Sequence, residues 1–259
     1  MSDDGQVHFS VEGPVARIVV DRPEARNAMT WQMYEVMRQA FVTISESPQI
    51  RVAVLSGAGD EAFISGTDIS QFQAFETGKD GVEYNRTNGQ TTKLLEAVPC
   101  PVIAVLRGAV TGGGLAIAAC CDLRIAADNA RFGVPVARTL GNLPAMPTIA
   151  QIVALVGPAK AKEMIFTARL WNAQEALANG LITEVHPAQD VDARVEELVE
   201  LLQRRAPLTM AGVKEAVRRM VDATVPPGDD LIENVYGSED FREGMAAFLE
   251  KRQPQWKNR

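Results

Sequence analysis

Apolar and polar residues take turns at the start of the chain, in VHFSVEG and VARIVVDRP, which is the period of a strand. Gly13-Pro14 between the two runs predicts a hairpin, and Pro23 stops the second strand. The period then lengthens. Thr30 stands as an N-cap before WQMYEVMRQAFVTI, where Tyr34, Met37, Phe41 and Ile44 recur at helical spacing and predict a buried stripe. RVAVLSG is a short buried strand closing on Gly57, a helix follows from about Val82 to Ala97 and ends at Pro99, and PVIAVLRG and CDLRIAA repeat the strand pattern. Strands alternating with helices imply parallel pairing through right-handed crossovers, so the fold class is α/β. Beyond Ala159 the pattern turns helical. Val191, Val195, Leu198 and Leu202 mark one amphipathic helix, LTMAGVKEAVRRM a second and SEDFREGMAAFLEKR a third, with VDATVPPGDD as the clearest linker. No internal repeat or low-complexity segment is evident.

Composition narrows the function classes. A chain of 259 residues, 46% hydrophobic, with a net charge of −7, can bury a full core and reads as a soluble globular protein. The acidic balance, with no basic tract, argues against a nucleic-acid partner. The opening MSDDGQVHFSVEG reads as neither a secretory signal nor a transit peptide, and the longest uncharged apolar stretch is too short to span a bilayer. The expectation is a cytoplasmic protein without a membrane partner. Cys100, Cys120 and Cys121 form no CxxC and suit reduced, packed thiols. Two histidines, His8 and His186, leave almost nothing from which to build a zinc site, so no metal is expected.

Candidate chemistry concentrates in AVTGGGLAIAACCD, Ala109 to Asp122. A Walker P-loop would need a lysine and a hydroxyl after the glycines, and a dinucleotide fingerprint would need GxGxxG; neither is present. Two readings of the triplet stay open: close packing through small residues, or a strand-to-helix corner whose backbone N–H groups face an incoming oxygen. A second glycine turn, in EAFISGTDIS, could supply another N–H to the same oxygen, as polarising a thioester carbonyl requires.

AFISGTDI, RGAVTGGGLAIAACCDLRIAA, ARFGVP and AFLEKRQP together resemble the signature stretches of the crotonase superfamily, the enoyl-CoA hydratase and isomerase group. The resemblance covers essentially the whole chain. It implies a crotonase-like spiral of ββα turns over residues 1–200 with a helical C-terminal trimerisation region over 201–259, trimers or paired trimers, and acyl-CoA thioester substrates, coenzyme A arriving as part of the substrate rather than as a cofactor. It also implies that Thr67 and Gly113 supply the two oxyanion N–H groups. Ser65, Gly66, Asp68 and Ile69 match positions holding the adenine end of CoA, and Arg26 to Ala28 match the pantetheine path. Phe248 and Lys251 match residues by which the C-terminal helix closes over CoA, the lysine often serving a neighbouring subunit.

The chain departs from that pattern where proton transfer would occur. Hydratases of the group use two glutamates, and the matching positions here are Ala116 and Val136, neither of which can move a proton at any pKa. The stretch FGVPVARTLG reads one residue longer than usual, with Arg138 its only charge, and Pro147-Thr148 replaces a glycine pair. Asp122 and Asp68 read as structural, His186 as a surface residue on a return strand, and Tyr236 or Glu233 as residues that could reach the pocket. The expectation is an acyl-CoA enzyme that stabilises a thioester enolate and carries the hydratase label despite lacking both glutamates. Isomerisation, decarboxylation, thioester hydrolysis and a non-catalytic acyl-CoA binder are the alternatives.

Overall fold

The structure is a computed structural model and describes residues 5–259; the acidic opening, residues 1–4, lies outside the described residues. The hairpin forms as β1 (Gln6–Glu12) and β2 (Val15–Asp21), antiparallel. The side chain of Thr30 caps α1 (Trp31–Ser45), accepting from Met33 N at 3.3 Å, and the helix buries Tyr34, Met37, Phe41 and Ile44. There follow β3 (Val52–Gly57), β4 (Ala62–Ile64), α2 (Gly78–Ala97), β5 (Val102–Leu106), β6 (Ala109–Thr111), α3 (Gly113–Cys120), β7 (Leu123–Ala127), β8 (Arg131–Gly133) and α4 (Met146–Thr167). The chain closes with β9 (Trp171–Asn172), α5 (Ala173–Ala178), β10 (Glu184–His186), α6 (Val191–Gln203), α7 (Pro207–Asp222), α8 (Asp229–Tyr236) and α9 (Glu239–Leu249).

Two sheets organise these elements. The larger runs β1-β2-β3-β5-β7-β10, parallel except for the hairpin; the smaller runs β4-β6-β8-β9. Three successive turns, β3-β4-α2, β5-β6-α3 and β7-β8-α4, each contribute one strand to the large sheet, the next to the small sheet, and then a helix, giving the ββα spiral.

Three details depart from the sequence reading. α2 begins at Gly78, ahead of Val82, because the Asp80 carboxylate accepts from Thr77 N at 2.7 Å and closes an earlier first turn. α4 likewise starts before Ala159 and is broken at Gly157 (φ 77, ψ 161), next to Pro158. α8 begins inside the stretch read as linker, whose last two residues, Asp229 and Asp230, form the start of the helix. Of the C-terminal stripes, Val195 and Leu198 of α6 are buried against the large sheet, while Phe241 and Met245 of α9 join Tyr236, Ile232, Phe72 and Leu140 in a separate cluster. The chain covers most of both stripes itself, leaving Leu201 of α6 and Phe248 and Leu249 of α9 exposed. The apolar face left open belongs to α7, where Leu208, Val213, Val217 and Met220 are exposed and no residue is buried.

The C-terminal end of α3 is held by Arg124, whose guanidinium donates to the carbonyls of Ala118, Ala119, Cys121 and Leu181. A cation there satisfies carbonyls that the helix cannot pair and complements its dipole. Asp122 accepts from Val102 N and from Lys214 Nζ, both at 2.7 Å, the structural role expected of it. The opposite end of α3 is thereby free to serve the site.

Candidate active site

β4 and β6 are parallel neighbours in the small sheet, so the chain leaves both at the same end and their following turns lie side by side. Thr111 Oγ1 donates to Ser65 O at 2.7 Å and ties the two turns together. On one side, Met29 N donates to Gly66 O and Asp68 N to Met29 O, both at 2.9 Å, so Thr67 is pinned before and after its own peptide N–H. On the other, Gly112 adopts φ 53 and donates to Gly133 O at 3.0 Å, and α3 starts at the next residue. Among the described residues, neither Thr67 N–H nor Gly113 N–H has a hydrogen-bond partner. They are close together: a Cβ placed on Gly113 would lie 3.8 Å from Thr67 N. Two free donors on adjacent turns, one of them at a helix N-terminus, are what a single oxygen gathering negative charge requires.

The three glycines thus have three different roles. Gly112 supplies a positive φ, Gly113 an open approach to its N–H, and Gly114 close packing, since a Cβ there would sit 2.0 Å from Ile64 O. The packing reading describes Gly114, while Gly113 leaves its N–H without a partner among the described residues.

Both turns open into a cavity lined also by Tyr34, Tyr84, Ala116, Val136 and Tyr236. Among the described residues, no Asp, Glu, His, Cys, Lys or Arg lines it. Val136 lies in a short 3-10 turn, Pro135–Ala137, that brings it to the wall, whereas Arg138 is exposed and outside the lining. Pro147 and Thr148, at the start of α4, also line the cavity. Asp68 does not: its carboxylate accepts from Arg22 at 2.7 Å and from Ser70 N at 3.0 Å, holding the turn. A half-buried carboxyl does exist in Glu96, pushed up first by burial and then by the Asp222 carboxylate, but it lines a different cavity with Cys120, Gln151 and Lys214. His186 accompanies Glu184 on β10, 2.7 Å away, in the other sheet.

Of the residues singled out from sequence, Ser65, Gly66, Thr67, Ile69 and Gly113 converge on the cavity. Arg26 and Ala28 lie beside it, where Arg26 O accepts from Ser65 N at 3.2 Å; Arg26 is exposed. Phe248 and Lys251, both exposed at the end of α9, do not line the cavity of their own chain. Tyr236 does reach it, its hydroxyl accepting from Asn142 Nδ2 at 3.0 Å, while Glu233 does not line it.

Tyr34 and Tyr84 are functional candidates that the sequence reading missed. Tyr34 Oη and Thr67 Oγ1 are hydrogen-bonded at 2.9 Å, and Thr67 Oγ1 and Tyr84 Oη at 2.9 Å. Burial pushes the Tyr34 phenol up to about 12 and raises Tyr84 well above its ordinary value, so both are neutral hydroxyls at physiological pH.

Comparison with known proteins agrees with this architecture. The enoyl-CoA hydratase/isomerase family model matches residues 10–259. The chain is 31% identical to a crotonyl-CoA hydratase of Syntrophomonas wolfei, covering 93% of this chain and 94% of that one. It is 33% identical to a carnitinyl-CoA dehydratase of Proteus mirabilis, covering 98% of each. The solved structure of a methylmalonyl-CoA decarboxylase in complex with 2-nitronate-propionyl-CoA superposes with a TM-score of 0.90 at 29% identity, over 98% of this chain and 99% of that one. Matched from the first hairpin to its last residue, the chain belongs to the enoyl-CoA hydratase/isomerase family, the crotonase superfamily, and is an enzyme that processes acyl-CoA thioesters.

Proposed function

We propose that the thioester carbonyl oxygen of an acyl-CoA is held between Thr67 N–H and Gly113 N–H, and that the reaction passes through the thioester enolate by decarboxylation of a 2-carboxyacyl-CoA. The observation that carries this reading is the uncharged lining of the cavity, with Ala116 and Val136 at its wall. Hydration needs a group to take a proton from water, and here no carboxylate is at hand to do so. Decarboxylation needs no protein base. The bond between the α-carbon and the carboxylate breaks, CO2 leaves, and the electron pair passes to the thioester oxygen, where two N–H donors meet the new charge. An apolar wall also assists, because it removes water from the carboxylate that must leave. The likeness to a methylmalonyl-CoA decarboxylase supports the same reading. Coenzyme A is part of the substrate: Arg26 and Ala28 would border its pantetheine arm, and the turn Ser65–Ile69 would hold its adenine end.

Release of CO2 from malonyl-CoA, methylmalonyl-CoA and ethylmalonyl-CoA, measured beside hydration of crotonyl-CoA, tests this directly. The general acid–base help that the two missing carboxylates would give is about 10²–10⁴-fold, so hydration is expected that far below the rate of a hydratase holding both carboxylates, and slower than the best decarboxylation. Hydration as the faster reaction would overturn the assignment and require a base outside this lining.

The working form is read as a trimer or a pair of trimers in the cytoplasm. Leu208, at 86% exposure, and Met220, at 72%, head an apolar face on α7 that one chain leaves in water. Light scattering at micromolar concentration should give three or six times the mass of one chain. A monomer would contradict it. In such an assembly Phe248 and Lys251 are available to the cavity of a neighbouring subunit.

A further inference from the structure

Decarboxylation leaves an enolate that must gain a proton at its α-carbon, and an uncharged cavity offers only hydroxyls for the purpose. The proton inventory of the site is informative. Tyr34, Thr67 and Tyr84 come from α1, the turn after β4 and α2, yet their three hydroxyls form one chain with two hydrogen bonds of 2.9 Å. Each hydroxyl carries one proton and each bond uses one, so one proton is left to point out of the chain. Tyr84 ends the chain on α2, beside Asn88 in the cavity wall. When Tyr84 donates to Thr67 and Thr67 to Tyr34, the spare proton belongs to Tyr34.

The position of that end matters. The Tyr34 hydroxyl oxygen lies 2.9 Å from the point that a Cβ on Gly113 would occupy, nearer than Thr67 Oγ1 at 3.5 Å or Thr67 N at 3.8 Å. It therefore borders the space in front of the two free N–H groups, where the carbonyl carbon and α-carbon of a bound thioester must sit. The path is held stiffly: Phe72 packs edge-on to Tyr84 with centroids 4.8 Å apart, and Trp31 lies 5.5 Å from the same ring.

We propose that Tyr34 is the acid that protonates the enolate α-carbon and that Thr67 Oγ1 and Tyr84 are positioning residues that relay its replacement proton. This rests on the enolate reading above. In the step, the Tyr34 O–H bond breaks and a C–H bond forms with the enolate electron pair while the thioester carbonyl is restored. Tyr34 takes the Thr67 proton, Thr67 takes that of Tyr84, and Tyr84 is reprotonated by solvent water, so one solvent proton is consumed per turnover. A phenol is a far stronger acid than a C–H beside a thioester, so the transfer runs downhill. Burial, by keeping both phenols protonated, holds the chain loaded at neutral pH.

Run backwards, the same path slowly exchanges the α-hydrogens of a saturated acyl-CoA: the relay first passes a proton out to solvent, the Tyr34 phenoxide left behind takes the α-proton, and no CO2 is lost. Butyryl-CoA in D2O with the wild-type enzyme should gain deuterium at its α-carbon on one face, followed by NMR. Tyr34→Phe, which removes only the hydroxyl, should slow exchange about 10²–10⁴-fold. Thr67→Val, which keeps the backbone N–H and cuts the relay, should slow it too, and Thr67→Ser should restore it. The carbonyl stretch of the bound thioester reports the two N–H groups separately. A shifted stretch with no exchange by wild type, or with Tyr34→Phe exchanging as fast as wild type, overturns the relay and leaves the oxyanion reading standing. An unshifted stretch in the wild-type complex removes the oxyanion reading and the relay with it.

Discussion

Gly113→Ala is expected to fold normally and to lose about 10²–10³-fold in turnover, roughly 2.7–4 kcal/mol, the usual effect of losing one oxyanion donor, because its added methyl group keeps the oxygen away from an N–H that is still present. The structure separates the two halves of that expectation. Gly113 does not have a positive φ and is the first residue of α3, where alanine is well tolerated. The tightest contact of the added Cβ, 2.9 Å, is with the end of the Tyr34 side chain and not with backbone. The methyl group would nonetheless stand 3.8 Å from Thr67 N, in the space that the thioester oxygen needs. Turnover per folded molecule, with thermal unfolding as the control, checks it. Unchanged turnover would return Gly113 to a packing role.

The same substitution one residue later should have the opposite phenotype. A Cβ on Gly114 would sit 2.0 Å from Ile64 O and 2.8 Å from Ile64 C, both backbone atoms of β4 that cannot step aside without distorting the small sheet. Overpacking of this kind costs about 1–3 kcal/mol, more where backbone must move. Gly114→Ala is therefore expected to lose about 3 kcal/mol or more. At about 2–4 °C per kcal/mol for a chain of this size class, melting should fall by roughly 6–12 °C. A scan by calorimetry or circular dichroism measures it, and a melting temperature equal to wild type would mean that α3 and β4 are not packed as described.

How much of this was legible in the sequence depended on how local the cause was. The hairpin, the Thr30 cap and the buried stripe of α1 follow from short-range spacing and turn chemistry, and the structure has them where the spacing put them. The small sheet is harder to see, because β4, β6 and β8 are only three residues each, too short to show alternation. Ala116 and Val136 could be recognised as missing carboxylates because a motif fixes their positions; both line the cavity. The hydroxyl chain left no such mark. Tyr34 looked like one more member of a core stripe, and at 3% exposure it is one, but its hydroxyl end meets Thr67 and Tyr84 only after three separate elements have packed. Phe248 and Lys251 are legible as a motif, whereas the cavity they would serve lies outside their own chain's lining.

The central claim is that two backbone N–H groups polarise a thioester carbonyl in a pocket without carboxylates. The most direct test is the carbonyl stretch of a chromophoric acyl-CoA bound to the enzyme, read by difference Raman or infrared spectroscopy. The stretch should shift to lower frequency in wild type, and the shift should be reduced in folded Gly113→Ala, where the methyl group crowds the oxygen, and in Thr67→Pro, which deletes the Thr67 N–H. A bound wild-type complex with the stretch at its solution frequency would contradict it.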